Sequence, residues 1–577
     1  MEWTALTFAA AARRDPAPMG LYRSSYKGLR RHLVQEVYYS LEQGSAMSAI
    51  ASVSSAAQLM PVLKPPVTAA VNDTNVSEDT QASPSYVVML GQDAKVSDPL
   101  TYNVRGVMPE ANAAPAWEYT RQDKVSLAMM GNFGTSATAG RFQGLGATLL
   151  SQLAQTGQNI SQSVLRSSTG KVLEPAELTA AQNRLHADPA NSISLTLKTA
   201  SGKTIELSLS SQDDGLAVQA QVSGGELNDD ELDALNAMAD GFQSAIDGLT
   251  SKPPTLKLDA LTQFDTKAFA SVDLKTSLTL EDGSAQTLEL SADADQRSVR
   301  MGGALGNLDL SVDLKNAAIR GDSGQQAKAL EGYVSQIESA RKRGDGDAQL
   351  LSMFEDAFKT LHSHYPDTRV SSAAQTVSSI ELTETDHGLL TGLGDFSASV
   401  SEKSVEGNPG RPGELDAFAY SLSQTTQSKG SDQLNRTIVQ DQQSQLMASY
   451  HKPLPGGQKL GLTTDPKTQN YLYYQISDQA SSKTSIGYKK GELVDATLSQ
   501  SASQSTRISK YVMGRLEKDT HTPVSSSKAQ SFLSVLQQAV QQDKEARQGR
   551  GVSTLKATLA SIQAKVLLQS EPSQLEG

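Results

Sequence analysis

Residues 194–208 read SLTLKTASGKTIELS, and residues 277–291 read SLTLEDGSAQTLELS. In the first stretch Ile193, Leu195 and Leu197 alternate with Ser194, Thr196 and Lys198. After Ala200-Ser201-Gly202-Lys203, Ile205, Leu207 and Leu209 alternate with Glu206, Ser208 and Ser210. Period-two alternation sends apolar side chains to one face of a strand and polar ones to the other. Two such runs around a glycine turn predict an antiparallel hairpin with one dry and one wet face. The second stretch repeats the first at an offset of 83 residues (277 − 194), with nine of fifteen positions identical. The matches include the wet-face Ser, Thr and Glu as well as the leucines, so the hairpin reads as a duplicated unit.

Outward from the hairpin, residues 216–222 supply a third strand. A helix over 229–249 follows, capped by Asn228 with Glu231 in the box position. Its stripe of Leu232, Leu235, Met238, Phe242, Ile246 and Leu249 suits the dry face of the sheet. Upstream, the leucine spacing predicts a helix over 142–166, weakened at Gly157, and a second over 174–187. Downstream, helices are expected over 325–342 and 348–362, with Pro366 as the stop. Residues 378–513 alternate again in long polar strands that would wrap the earlier units. Residues 380–383 read as a third, decayed hairpin copy. Ser527, with Gln530 in the box position, is expected to cap the first of two closing helices, and Leu555, Leu559, Ile562 and Val566 stripe the second.

The expected fold class is therefore α+β: duplicated antiparallel β-hairpin units packed with amphipathic helices, a β-rich C-terminal region and a terminal helical hairpin. The expected organisation is 1–46 a mis-assigned upstream extension, 47–115 disordered and low in complexity, with a short strand over 86–90, and 116–190 helical. Then come 191–255 a hairpin-plus-helix unit, 256–366 a second such unit, 378–513 β-rich and 525–570 a helical hairpin. A chain of 577 residues is long enough for about three or four domains.

Composition excludes several functions. The net charge of −12 disfavours nucleic acid, whose binding rests on Lys and Arg. The chain has no cysteine, which removes disulfides, thiolate metal sites and cysteine nucleophiles. No run of about 18 apolar residues exists, so no transmembrane helix is expected. Phe8 to Ala12 precede Arg13 and Arg14, the reverse of a signal peptide's order. The protein is expected to be cytoplasmic, or exported without a cleavable signal. An outer-membrane barrel is disfavoured, because the faces that would meet lipid carry too many Ser, Gln and Asp.

No motif in the chain completes a known chemistry. Gly321-Asp322-Ser323-Gly324 resembles a serine-protease nucleophile loop, but Gln325-Gln326 follow it. Ser525-Ser526-Ser527-Lys528 has Ser-x-x-Lys spacing without its companion elements; helix capping explains these serines. His362 and His364 offer two imidazoles, and no third ligand is suitably spaced. Arg320-Gly321-Asp322 and Arg343-Gly344-Asp345 are read as turn chemistry. Asp345-Gly346-Asp347 and Asp293-Ala294-Asp295 do not continue as calcium loops. Gly140 to Gly146 lacks the dinucleotide order, and no Walker loop exists. No catalytic, cofactor-binding or metal-binding residue is therefore assigned.

The wording of residues 193–208 resembles a segment of gammaproteobacterial proteins of unknown function, over the middle third of the chain. The resemblance implies a bacterial source and carries no activity. The expectation is a non-catalytic structural or protein-interaction protein with an unidentified protein partner. The alternative is a hydrolase-like enzyme whose site the sequence does not reveal.

Residues 1–46 hold Trp3, Tyr22, Tyr26, Tyr38 and Tyr39 and the basic Arg23, Lys27, Arg30 and Arg31, whereas Met47 opens a Ser/Ala-rich stretch. A basic amphipathic helix for a partner or membrane surface is the alternative for this segment. Translation is expected to begin at Met47, since Gln43-Gly44 can be encoded by purine-rich codons a few bases upstream. The intact mass of the native protein should then lack residues 1–46; a mass that includes them refutes that start.

Overall fold

The computed structural model describes residues 114–167, 173–280, 282–365, 381–456 and 459–576. The start at Met47, nearly all of the 47–115 stretch with its short strand, and the stop at Pro366 lie outside the described residues. The hairpin ribbons of the sequence are β3 (Asn191–Thr199) with β4 (Thr204–Gln212), and β6 (Phe269–Thr279) with β7 (Ala285–Asp293). Around them run β1 (Ala116–Trp117), β2 (Ile160–Leu165), β5 (Gly215–Ser223), β8 (Gln296–Gly302) and β9 (Gly306–Asp313). The second half contributes β10 (Asp395–Glu402), β11 (Val405–Glu406), β12 (Leu415–Asp432), β13 (Asn435–Pro453), β14 (Tyr471–Lys489), β15 (Glu492–Val512) and β16 (Arg515–Ser531).

All these strands join one antiparallel sheet in the order β1-β2-β5-β4-β3-β6-β7-β8-β9-β10-β12-β13-β14-β15-β16, with β11 beside β12. The β-rich second half was expected to wrap the first. Instead β10 pairs with β9, Phe396 opposite Val312, and continues the same sheet edge to edge. Among the described residues the path ends at β1 and β16 without closing into a barrel.

Helices α1 (Lys124–Asn132), α2 (Leu145–Thr156), α4 (Asp229–Thr250), α5 (Ser323–Gly344), α6 (Ala348–His362), α7 (Leu533–Arg547) and α8 (Leu555–Val566) cover the dry face, while α3 (Pro175–Ala187) packs on the opposite face, its Leu185 against Leu165 of β2 and Ala217 of β5. The capping box of α4 is formed as its sequence dictates. Glu231 N donates to Asn228 Oδ1 and Asn228 N to Glu231 Oε2, both at 2.9 Å. Leu235, Met238, Phe242, Ile246 and Leu249 are buried in one cluster with Ile193, Leu195, Leu197, Leu207 and Leu274.

Both ribbons put their leucines on the dry face, with Leu195 opposite Leu207 and Leu274 opposite Leu290. Their registers differ from the sequence match. Lys198 and Thr204 close the first hairpin, and Thr279 and Ala285 the second. That is an offset of 81 (279 − 198) where the sequence match has 83.

Three local expectations are corrected. The helix over 142–166 stops at Gly157, whose φ of 62° and bond from its N–H to Leu153 O (2.7 Å) form a left-handed cap. Residues beyond it become β2, because Ile160 and Val164 pair with β5. The 116–190 region is therefore mixed. Ser527 caps nothing: it lies in β16 opposite Ser501, and the helix begins at Leu533. Residues 381–383 make no strand but lead into a short helix capped by Thr383.

The two faces predict opposite sensitivities. Leu195→Ala should lower stability by about 2–5 kcal/mol, and Thr196→Ala should change it by about 0.5 kcal/mol or less. Urea unfolding midpoints of the two variants check this.

Candidate binding surface on the wet face of the sheet

Apart from α3 at the β2–β5 end, the helices leave the other face of the sheet bare. Because pairing is in register, its side chains line up in rows that cross the strands. One row runs Gln221, Glu206, Thr196, Asp273, Ser291, Ser298, Ser311, Ser397, Ser423, Gln443, Ser481, Ser501 and Ser527, one residue from each of thirteen consecutive strands. Nine of the thirteen are serine or threonine, and neighbours bond across: Ser481 Oγ lies 2.8 Å from Ser501 Oγ.

The adjacent row holds the charges. Lys275, Glu289, Arg300 and Asp309 alternate in sign on successive strands. Arg300 Nε donates to Asp309 Oδ2 at 3.1 Å, an exposed pair that contributes about 0–1 kcal/mol. Beyond it this row becomes neutral: Ser399, Ser421, Gln445, Gln479, Ser503 and Ser525. Together the rows floor an open trough of about 880 Å³.

One end of this face is walled. Tyr471, Tyr473 and Tyr511 form a small cluster with Leu460 and Leu462 of the β13–β14 connection. His451, with 2 % of its side chain exposed, sits beside them. Its Nδ1 lies 2.6 Å from Asp416 Oδ1 and its Nε2 3.2 Å from Glu414 Oε2. Tyr471 donates to the same Glu414 oxygen at 2.6 Å. Burial opposes charge on the imidazole, but the hydrogen bonds and charges of Asp416 and Glu414 outweigh it and raise its pKa to about 9. Burial would raise the Glu414 carboxyl, yet bonds from His451 and Tyr471 hold it below its usual value. With both ring nitrogens occupied and no exposure, His451 is a charged clasp for the 407–416 segment and not a base.

The motif residues of the sequence are scattered and structural. Asp322 caps α5 through Gln325 N (2.8 Å), and Asp347 caps α6 through Leu350 N (2.8 Å). Asp293 Oδ1 accepts from Asp295 N and Gln296 N at 2.8 Å in the β7–β8 turn. Arg343 makes a two-point bond with Asp478. His362 is buried with Nδ1 2.7 Å from Tyr365 Oη; burial, then the Arg297 charge, lowers its pKa to about 3. His364 takes a left-handed φ of 46°, and among the described residues no group of three acidic or imidazole side chains could hold a metal. Ser525 and Ser527 belong to the wet-face rows.

One pair resembles catalytic geometry: Ser505 Oγ lies 2.8 Å from His521 Nε2. Both stand on the open strand face, and no hydrogen-bonded carboxylate orients the imidazole among the described residues, so the triad logic is incomplete. The sequence reading missed His451, Glu414 and Asp416, which lie 35 to 37 positions apart, and nothing in their spacing announces the contact.

No family model, curated protein or solved structure matches the chain. Among the described residues no helix is long and apolar enough to cross a membrane.

The clasp has a signed pH dependence. A folded pKa of about 9 against an ordinary value near 6.5 means that His451 stabilises the fold fully below about pH 6.5 and loses this as pH rises through about 9. Because Asp416 is 39 % exposed, the contribution is discounted to roughly 2 kcal/mol. His451→Gln should destabilise the 407–416 segment at pH 6 and not at pH 10, read by amide exchange.

Proposed function

We propose that this is a non-catalytic structural or interaction protein, and that the wet face of its sheet is the surface that works. The observation that carries this reading is the unbroken row of thirteen strands. At roughly 4.8 Å per strand the row extends about 55–60 Å, far more than a small substrate needs. Serine and glutamine give adaptable hydrogen bonding, as in other recognition surfaces. The alternating charges of Lys275, Glu289, Arg300 and Asp309 favour a partner of mixed sign over a polyanion. The partner is a protein, and the compartment is the cytoplasm or one reached without a cleaved signal.

We also read the two hairpins as copies of one unit, and the two closing helices as a helical hairpin. Nine matched positions, adjacent placement in one sheet and dry leucines support the first, although the two hairpins superpose at an offset of 81 and not 83. A shared apolar cluster that includes Leu536, Ala539, Leu555 and Leu559 supports the second.

The hydrolase alternative has one observation in its favour, the Ser505–His521 approach. Photo-crosslinking in cells separates the readings. A crosslinker at Gln443 or Ser481 should capture a discrete protein partner, and one at Lys544 on α7 should not. Ser423→Lys with Ser501→Lys should abolish capture without changing the melting temperature. Equal capture from α7, no capture from the face, or an ester hydrolysis activity lost in Ser505→Ala would overturn the proposal.

A further inference from the structure

On the helix side of the sheet, at the turn end of the second hairpin, lies a cleft of about 320 Å³. Its walls are Pro253 and Pro254 after α4, Leu280 of the β6–β7 turn, Met301 and Leu305 around the β8–β9 turn, and Met353 of α6. Polar side chains, among them Thr138, Ser251, Ser284 and Gln349, line the rest of the cleft, and one of the polar groups is buried without a partner. Gln286 is only 5 % exposed, and its Nε2 has no hydrogen-bond partner.

Gln286 occupies a dry-face position of β7, the rail that continues with Leu288, Leu290 and Ala292. Period two calls for an apolar residue there, and a buried amide donor without an acceptor is unfavourable. The first hairpin shows the contrast. Its counterpart at the structural offset of 81 is Ile205, fully buried opposite Leu197 as Gln286 is opposite Leu278. There the chain places the apolar side chain that the pattern calls for. Beside Gln286 it supplies a cavity.

We propose that this cleft binds a neutral, mainly apolar molecule bearing one acceptor oxygen, a ketone or acyl ester, whose carbonyl accepts from Gln286 Nε2. At roughly 30 Å³ per non-hydrogen atom the volume suits about eleven such atoms. Met301 and Met353 give a wall that adapts to chain shape. Asp282 and Lys252 stand together at the cleft. Their opposite charges offset each other, so the cleft offers no net charge to a charged ligand, which favours an uncharged one. The site is separate from the wet face, so its failure leaves the surface reading intact.

Headspace partitioning with 2-decanone and undecane, which have equal numbers of non-hydrogen atoms, tests it on the full chain. The ketone should bind saturably, one per chain, and about tenfold or more tighter than the alkane. Gln286→Leu should erase that preference while retaining alkane binding. Ala304→Trp, at an exposed lining position, should abolish both with an unchanged melting temperature, and it remains informative should Gln286→Leu fail to fold. No saturable binding by the unaltered protein, or a ketone preference that survives in Gln286→Leu, overturns the assignment.

Discussion

The structure depends on one constraint: one face of a very wide antiparallel sheet must be dried by helices along its whole width, while the other stays wet except beneath α3. Period-two alternation enforces it strand by strand, since a one-residue slip would turn every leucine to water. Ile193, Leu195, Leu197, Leu274, Leu290, Val299, Leu310 and Ala398 all fall in one buried cluster, which continues to Leu446, Ile476 and Ala502. Each large aliphatic side chain there contributes about 1.5–3 kcal/mol. Close approach matters as much as area. A Cβ at Gly146 would overlap Ile246, and one at Gly241 would overlap Ala260, so small residues set how near α2 and the 259–262 turn come to α4.

The long strands β12–β15 do not have enough apolar residues to be covered in this way, and polar side chains on their dry face solve a different problem. The carbonyls at the end of α8 have no further helical turn to accept them. Gln442 Nε2 donates to Val566 O at 2.8 Å, Gln500 Nε2 to Leu567 O at 2.9 Å, and Ser482 Oγ to Val566 O at 2.9 Å. The sheet thus caps the helix that covers it. Arg297 does the same for α6, donating to Leu361 O at 3.2 Å and His364 O at 2.8 Å. The buried pair of Arg436 and Asp386, 2.6 Å apart, fixes the 383–388 turn against β13, with the Arg436 guanidinium 3.9 Å over the Tyr488 ring. Such a pair is retained more readily for fixing position than for net stability.

What was legible in the sequence follows from range. The hairpins, α4 with its capping box, and α5 and α6 rest on local period and caps, and they stand within a few residues of where the sequence puts them. The helix over 142–166 failed because leucine spacing continued past Gly157, and only pairing with β5 reveals that Ile160 and Val164 are strand residues. Ser527 looked like a cap because Ser-x-x-Gln is a weak local signal that a long strand pairing overrides. The Gln-rich strands are legible as strands, but the helix-capping role of their glutamines is not. The helix-end carbonyls that they cap are 67 to 124 positions away. The wet-face rows were invisible for the same reason: each contributes one residue per strand, and only the pairing sets them side by side.

A sheet this wide has to end without recruiting another chain, and its last strand shows how. Among the described residues β16, 17 residues long, pairs with β15 and no other strand, so one of its edges is a margin of the sheet. Arg515, Lys518, Asp519 and Lys528 place charge along it, and Pro523 removes one donor midway. These are the devices that discourage edge-to-edge pairing. The edge is thus built to be left alone, while the rows of serine and glutamine beside it are uncharged, flat and open. That division of labour fits the proposal that the face of the sheet, and not its margin, is the surface that works.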